Sequence, residues 1–122
     1  MSGGRAFFND AGQAVREAKV AVLGVSYKAA VGDMRESPAM KIMALLNERG
    51  ADLSYHDAYV PELPTFGLVS TPLDAAVDSA DLVVIVTAHP DVDHEQVARD
   101  ASLLLDFRGV TRNVDRSAVM RL

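Results

Sequence analysis

"KVAVLGV", residues 19–25, is a nearly continuous apolar stretch, as expected of a strand that is buried on both faces. The stretch "SPAMKIMALLNERG", residues 37–50, follows after a charged loop. In it Ser37 offers an N-cap oxygen, Pro38 suits the first helical position, and apolar residues then recur at helical spacing. A strand followed by a helix that packs back against it is the repeating unit of a parallel α/β sheet.

The same alternation of strands and helices continues along the chain. Apolar stretches predict further strands at residues 52–57, 66–70, 81–88 and 102–107, with helices at residues 72–80 and 93–101. Residues suited to capping begin the two helices, namely Thr71 with Asp74, and Asp93 with Gln96. We therefore expect an α/β fold, a three-layer Rossmann-like sandwich with a parallel sheet of about five strands and right-handed crossovers.

The composition fits one domain and excludes several kinds of site. The chain has 122 residues and no cysteine, which excludes thiolate metal sites, disulfides and covalent cysteine chemistry within it. Its formal net charge of -5 argues against broad binding of nucleic acid or anionic membranes. Its apolar stretches are too short to span a bilayer. We expect a cytoplasmic protein with neither nucleic acid nor membrane as a partner.

Ligands of a parallel sheet bind beyond the carboxyl ends of its strands. The segments at that edge are residues 26–36, 57–62, 87–91 and 106–111. The first of them is long, charged and poor in glycine, and it carries Lys28 and Arg35 just before a helix. These two cations either are solvated and pair with neighbouring acids, or form a platform for a diphosphate.

Three more features of that edge have alternative interpretations. Tyr27 is either a core residue or a stacking surface for a base or sugar. Arg108 either forms an ion pair with Asp106 or is a third anion-binding group. The three histidines of the chain show no metal-ligand pattern, so we expect no metal site. Its serines lack the neighbouring base that a nucleophilic serine needs, so we expect no catalytic residue.

Two other functions of α/β proteins fit the sequence less well. An NAD-binding domain would need the G-x-G-x-x-G turn, which "GVSYKAAVGD" does not contain. Asp57 ends the second strand, where a ribose-binding acid would stand, but by itself it is better explained as a turn residue. A phospho-receiver domain would need an acidic pair after the first strand, where "VSYKAA" stands instead.

The stretch from Gly24 to Glu62 resembles the UDP-glucose/GDP-mannose dehydrogenase family, in particular its C-terminal, UDP-binding domain. The family pattern contains G-x-x-[YF]-K and D-x-R-E-S-P, and later T-x-H and D-x-R segments. Here those elements are Gly24, Tyr27–Lys28, Asp33, Arg35–Pro38, Thr87 with His89, and Asp106 with Arg108. The resemblance covers roughly residues 19–111 and departs from the family at Ala58, where proline is usual.

The resemblance implies a function for a larger enzyme. Such enzymes oxidise a UDP-sugar twice at C6, from alcohol to carboxylate, and reduce two NAD⁺. An N-terminal Rossmann domain binds the NAD, and a cysteine outside this chain carries the covalent intermediates. By motif match, Tyr27, Lys28 and Arg108 contact the UDP-sugar, and Arg35 reaches the NAD side of the cleft between the domains. This chain alone is expected to have no dehydrogenase activity.

The resemblance also implies a domain organisation. Residues 1–18 would be the end of a connecting or dimerising helix, residues 19–112 the UDP-binding domain, and residues 113–122 a tail. The full-length enzyme would form a homodimer and would act in polysaccharide biosynthesis. It would be most similar to the bacterial enzymes that act on UDP-N-acetylhexosamines. The start "MSGG" suggests a shortened chain. A stand-alone nucleotide-binding or regulatory module, or an NAD-binding Rossmann domain, remains the alternative.

Overall fold

The computed structural model describes residues 17–26 and 37–121. The strands are β1 Lys19–Leu23, β2 Asp52–His56, β3 Glu62–Leu63, β4 Leu68–Val69, β5 Leu82–Ile85, β6 Leu104–Asp106 and β7 Val119–Arg121. The helices are α1 Pro38–Glu48, α2 Leu73–Ser79 and α3 His94–Asp100, with a 3-10 turn at Pro64–Phe66. Five strands form one parallel sheet in the order β2-β1-β5-β6-β7, and β3 and β4 form an antiparallel pair beside it.

The sheet separates two hydrophobic cores, because successive residues of a strand point to opposite faces. On β1, Val20 and Val22 belong to the core that includes Ala39 and Met43 of α1. The alternate residues of the strand, Ala21 and Leu23, face the other core. That core includes the buried residues of α2 and α3, namely Ala76, Val77, Val97 and Ala98. Helices on both faces of a parallel sheet confirm the predicted three-layer α/β sandwich.

The fifth strand of the sheet is not the one that the sequence predicted. The stretch at residues 66–70 contributes only β4 of the short antiparallel pair. The fifth place belongs to β7, which pairs with β6 from Leu104↔Val119 to Asp106↔Arg121. The tail predicted at residues 113–122 was therefore wrong in part, since the sheet extends past residue 112. Residues 113–122 are mostly polar because β7 is an edge strand. Val114 and Val119 are the residues of this segment that pack into the core.

The helix starts agree with the sequence at α1 and α3. The Oγ atom of Ser37 accepts a hydrogen bond from the N–H of Ala39 at 3.2 Å. Likewise, Oδ1 of Asp93 accepts one from the N–H of Gln96 at 3.1 Å. Each bond satisfies a backbone donor that has no carbonyl partner within its own helix.

The capping box predicted for α2 is absent. The N-cap of α2 is Pro72, and no side chain makes a capping hydrogen bond there. The backbone N–H of Thr71 instead donates to the carbonyl oxygen of Tyr55 at 2.8 Å, which holds this connection against β2. A tertiary hydrogen bond thus replaces the local cap that the sequence suggested.

The connecting or dimerising helix expected at residues 1–18 lies almost entirely outside the described residues. Within them, Glu17 is in a turn with φ of 65°, and its N–H donates to the carbonyl oxygen of Gly50 at 2.8 Å. In the part of the chain that the structure describes, no helix is both long enough and apolar enough to cross a membrane.

Candidate functional site

The carboxyl ends of β1, β2 and β5 meet at one edge of the sheet, where polar side chains are buried. The order β2-β1-β5 places the end of β1 between the other two. The chain passes from β1 to β2 on one side and enters β5 on the other, so the topology switches between β1 and β5. Four polar residues at this edge are at most 7% exposed, namely Ser26, Asp57, Thr87 and His89.

Asp57 anchors the segment that leaves β1. Its Oδ2 atom accepts hydrogen bonds from the N–H groups of Val25 at 2.9 Å and Ser26 at 3.2 Å. Its Oδ1 atom accepts one from the N–H of Tyr59 at 2.9 Å. Both oxygens are thus engaged by the chain itself, and the residue is only 1% exposed. This geometry is that of a structural anchor and not of an acid presented to a ribose.

His89 completes the same cluster. Its Nε2 atom lies 2.9 Å from Oδ2 of Asp57 and 2.9 Å from Oγ of Ser26. Its ring packs against the ring of Tyr59, with 4.6 Å between the centroids. A serine–histidine–aspartate relay uses two different ring nitrogens, one toward each partner. Here one nitrogen makes both contacts, so the cluster does not have the geometry of a nucleophilic triad.

Thr87 joins the ends of β1 and β5 directly. Its hydroxyl donates to the carbonyl oxygen of Ser26 at 2.7 Å. A Cβ on Gly24 would overlap the carbonyl oxygen of Thr87, and Gly24 has φ of 81°. These contacts span the crevice between β1 and β5, where the pyrophosphate of a dinucleotide lies in folds of this topology. Gly24 of the motif therefore allows the end of β1 to lie close to the end of β5.

A second buried carboxylate, Asp106, organises the segment after β6. Its Oδ1 atom accepts from the N–H groups of Arg108 at 2.9 Å and Gly109 at 2.8 Å. Its Oδ2 atom accepts from the N–H of Thr111 at 3.0 Å and from the Thr111 hydroxyl at 2.6 Å. Burial raises the pKa of Asp106, but these hydrogen bonds outweigh burial and hold that pKa below its ordinary value.

Arg108 is exposed, and it does not pair with Asp106 through its side chain. The carboxylate of Asp106 receives the backbone N–H of Arg108 instead of its guanidinium. Of the two interpretations that the sequence left open for Arg108, the ion pair with Asp106 is not formed. Within residues 17–26 and 37–121 the structure gives this guanidinium no hydrogen bond or ion pair, so it is available to an anion at this edge.

His94 stands at the same end of the sheet, and its Nε2 atom has no hydrogen-bond partner among the described residues. This atom is also buried. Burial lowers the pKa of His94, which the carboxylates of Asp106, Asp91 and Asp93 counteract only in part, while His89 lowers it further. Nowhere in the described ranges do three or more histidine, aspartate or glutamate side chains form a group suited to a metal ion.

The other predicted site residues, Tyr27, Lys28 and Arg35, lie outside the described residues. Their roles stay predictions. The structure does describe Ser26, the residue before Tyr27, and Ser37, which caps α1 after the loop. Both ends of the charged loop are thus buried and hydrogen-bonded, since Ser26 is 0% and Ser37 1% exposed.

Sequence reasoning missed the buried cluster of Ser26, Asp57, Thr87 and His89. It interpreted Asp57 as a turn residue, found no metal-ligand pattern among the histidines, and assigned Thr87 no role. The available signal was the T-x-H pattern, whose first and third residues both bind Ser26. This pattern indicates a contact only once β1 and β5 are known to be neighbours.

Comparison with known proteins identifies a related group. The model of the UDP-glucose/GDP-mannose dehydrogenase family, UDP binding domain, matches residues 21–113. A UDP-N-acetyl-D-mannosamine dehydrogenase of Methanocaldococcus jannaschii is 35% identical over 100 residues, which cover 75% of this chain and 23% of that protein. A UDP-glucose 6-dehydrogenase of Rhizobium meliloti is 30% identical over 118 residues, or 89% of this chain and 27% of that protein.

Solved structures show the same relationship. A UDP-D-ManNAc dehydrogenase from Pyrococcus horikoshii superposes with a TM-score of 0.73 at 25% identity, over 97% of this chain and 28% of that one. A ternary complex of GDP-mannose dehydrogenase from Pseudomonas aeruginosa gives a TM-score of 0.69 at 26% identity, over 86% of this chain and 28% of that one. The chain thus spans about a quarter of the length of these relatives.

Proposed function

This chain belongs to the UDP-glucose/GDP-mannose dehydrogenase family, as its UDP-binding domain, and from that premise we propose that it is the C-terminal, UDP-sugar-binding part of an NAD-dependent nucleotide-sugar 6-dehydrogenase. The complete enzyme would oxidise the C6 alcohol of a UDP-sugar to a carboxylate, giving a UDP-uronic acid. Its relatives include dehydrogenases of UDP-N-acetyl-D-mannosamine, UDP-glucose and GDP-mannose, which supports a hexose or an N-acetylhexosamine as the proposed sugar class.

The observation that carries this proposal is the charge distribution at the carboxyl edge of the sheet. Two of the carboxylates at this edge, Asp57 and Asp106, are buried and saturated with the chain's own donors. The exposed guanidinium of Arg108 is left beside them, two residues from Asp106. A planar guanidinium suits the bidentate recognition of phosphate oxygens.

One further cation, Lys28, and the neighbouring Tyr27 complete the proposed UDP-sugar site. Tyr27 and Lys28 follow Ser26 immediately in the chain, and Ser26 lies at the same edge of the sheet. We assign Tyr27, Lys28 and Arg108 to the UDP-sugar. Arg35 we assign to the NAD side of the cleft between this domain and the rest of the enzyme. Each charge-assisted contact of this kind contributes roughly 1.5–3 kcal/mol.

The chain's own residues do not fit an NAD⁺ site. Asp57, the one acid at the position of a ribose ligand, is enclosed, and the crevice next to Gly24 is spanned by Thr87. Two NAD⁺ molecules, bound mainly by an N-terminal domain of the full-length enzyme, would each accept one hydride for every sugar that is oxidised. The cysteine that carries covalent intermediates would also come from outside this chain, which has none. Homodimerisation and a cytoplasmic role in polysaccharide biosynthesis belong to the same proposal.

Titration calorimetry tests the ligand class. The chain is titrated separately with UDP, with NAD⁺ and with uridine, which lacks the diphosphate. We expect UDP to bind more tightly than NAD⁺ and uridine to bind weakly, because the cations recognise the phosphates. Tighter binding of NAD⁺ than of UDP would overturn the proposal and favour an NAD-binding Rossmann domain.

The coding sequence on the N-terminal side of this chain tests the domain assignment. We expect it to encode a Rossmann domain with G-x-G-x-x-G and a downstream cysteine in the same reading frame. Binding of UDP together with an unrelated upstream sequence would instead favour a stand-alone nucleotide-binding module.

A further inference from the structure

A groove lies between α2 and α3, on the face of the sheet opposite α1. It has a volume of about 360 Å³, and Leu73, Val77 and Val97 form its apolar floor. The rest of its lining is polar and consists of Gln96 and four exposed aspartates, namely Asp74, Asp78, Asp93 and Asp100. We call this feature the acidic groove.

The charge of these aspartates is not neutralised by the chain. Asp93 caps α3, and Asp100 accepts hydrogen bonds from the side-chain amide of Gln96. Among the residues that the structure describes, no lysine or arginine forms an ion pair with any of the four. Asp74 and Asp78 stand four positions apart on one helix, where like charges repel each other. The acidic groove therefore favours a partner that is cationic at its edges and apolar at its centre.

The exposed side of α1 has that complementary pattern. Lys41, Leu45 and Arg49 follow one another at intervals of four residues, so they lie along one side of the helix. All three are exposed, and Leu45 is exposed by 50% although it is a large apolar residue. In the described part of the chain neither cation has an ion pair. The one acid of this helix is Glu48, so the α1 stripe, as we call these three residues, keeps a net positive charge.

The charges of the two surfaces have similar spacings. An α-helix rises about 1.5 Å per residue, so Lys41 and Arg49 are about 12 Å apart along the axis of α1. By the same measure Asp93 and Asp100 are about 10 Å apart along α3. Leu45 lies midway between the two cations. The stripe can therefore place a cation near each end of the acidic groove while Leu45 reaches its apolar floor.

We propose that the α1 stripe of one copy of this chain docks in the acidic groove of a second copy. Leu45 covers the apolar floor, and Lys41 and Arg49 face the aspartates. The two surfaces lie on opposite faces of the sheet, because α1 packs on one core and α2 and α3 on the other. The contact is therefore heterologous, and association continues beyond the dimer toward rings or filaments.

This contact is a weak one. A single helix face in a single groove buries little area compared with a stable protein interface, so association requires a high concentration of the chain. None of the residues in the α1 stripe or the acidic groove is assigned to the UDP-sugar. The inference is thus independent of the proposed function.

Sedimentation velocity of the chain from about 10 μM to 1 mM tests the contact. Leu45→Gln removes the apolar centre of the α1 stripe. Val69→Gln is the matched control, because Val69 is also a large exposed apolar residue, 66% exposed, but it belongs to β4 and to neither surface. Circular dichroism confirms that each variant is folded.

We expect the average mass of wild type to rise with concentration past that of a dimer. Added salt should lower it, because salt screens charges at an exposed contact. Leu45→Gln should associate at least about tenfold more weakly, and Val69→Gln as wild type does. A chain that stays monomeric at 1 mM would overturn the inference. So would a mass that levels off at the dimer, or equal losses in the two variants.

A charge exchange tests the orientation of the contact. One double variant, Lys41→Glu with Arg49→Glu, makes the α1 stripe acidic. The other, Asp78→Lys with Asp100→Lys, brings cations into the acidic groove. Each alone should stay monomeric, and an equimolar mixture should associate again, because the new charges are complementary between the two chains. A mixture that stays monomeric would overturn the inference, whereas a failure of wild type to bind UDP would overturn only the proposed function.

Discussion

A Cβ on Gly24 would overlap the carbonyl oxygen of Thr87 and lie 2.7 Å from the Cβ of Thr87. Atoms at such separations cannot coexist, and the obstacle is backbone rather than the end of a flexible side chain. The ends of β1 and β5 therefore approach as closely as they do only because residue 24 has no side chain. The contact brings Ser26 within reach of Thr87 and His89.

Substitution of Gly24 by alanine should destabilise the fold strongly. Alanine would meet both an unfavourable φ of 81° and the overlap with Thr87, so we expect a loss of more than about 3 kcal/mol in the free energy of unfolding. Gly67→Ala is the control, because Gly67 has φ of 66° but open space around the added atom. It should cost only about 1 kcal/mol. Urea denaturation measures both, and equal costs would contradict the close approach.

Asp106→Asn should destabilise the segment after β6. Asparagine cannot accept all the hydrogen bonds that Asp106 receives from Thr111, Arg108 and Gly109, so we expect a loss of about 2 kcal/mol in urea denaturation at neutral pH. Asp115→Asn is the control, since Asp115 is exposed and the structure gives its side chain no hydrogen bond within the described residues. It should change stability by less than about 0.5 kcal/mol.

Lowering the pH should remove the contribution of Asp106 to the free energy of unfolding. Its folded-state pKa lies below the ordinary value of 3.8, so its stabilisation is complete above the unfolded value and is lost as pH falls through the folded value. The difference in unfolding free energy between wild type and Asp106→Asn should therefore shrink below about pH 3.8. A difference that stays constant down to pH 2 would show that the hydrogen bonds do not favour the charged form.

His94→Leu should leave stability unchanged or raise it slightly near pH 8. The buried Nε2 has no partner among the described residues, and a buried polar group without a hydrogen bond costs about 1–3 kcal/mol that leucine does not incur. A clear loss of stability in thermal unfolding at this pH would indicate that Nε2 is satisfied by a bond that the structure does not show.

The same variant should flatten the pH dependence of stability. Because the folded-state pKa of His94 is below 6.5, the unfolded chain takes up its proton first as pH falls. As pH falls from about 6.5 to the folded-state pKa, wild type should therefore lose stability. His94→Leu should not show the part of this loss that is due to His94. Parallel curves for the two proteins would contradict the lowered pKa.

Arg108→Ala should weaken UDP binding by roughly 10- to 150-fold, which corresponds to the loss of one charge-assisted contact. Lys28→Ala should have an effect of the same size. Arg99→Ala is the charge-matched control: Arg99 is exposed in the last turn of α3, which leads back toward the opposite edge of the sheet. It should bind UDP as wild type does. Unchanged affinity in both site variants would count against the diphosphate site.

Much of the fold could be predicted from the sequence because apolar periodicity is a local property. The apolar stretches around Val20 and Val84 predicted β1 and β5, and both strands lie in the middle of the sheet. The fifth strand could not be predicted in the same way. An edge strand needs few apolar residues, and what marks β7 as a strand is its pairing with β6.

The sequence by itself determined the alternating α/β pattern, the caps at Ser37 and Asp93, and the motif residues that place the chain in its family. Only the tertiary structure decided what several of those motif residues do. Ser26 and His89 are separated by 63 positions, and Ser26 and Asp57 by 31. They meet because β1 lies between β2 and β5, and strand order is a property of the whole packed sheet, which no local stretch of sequence records.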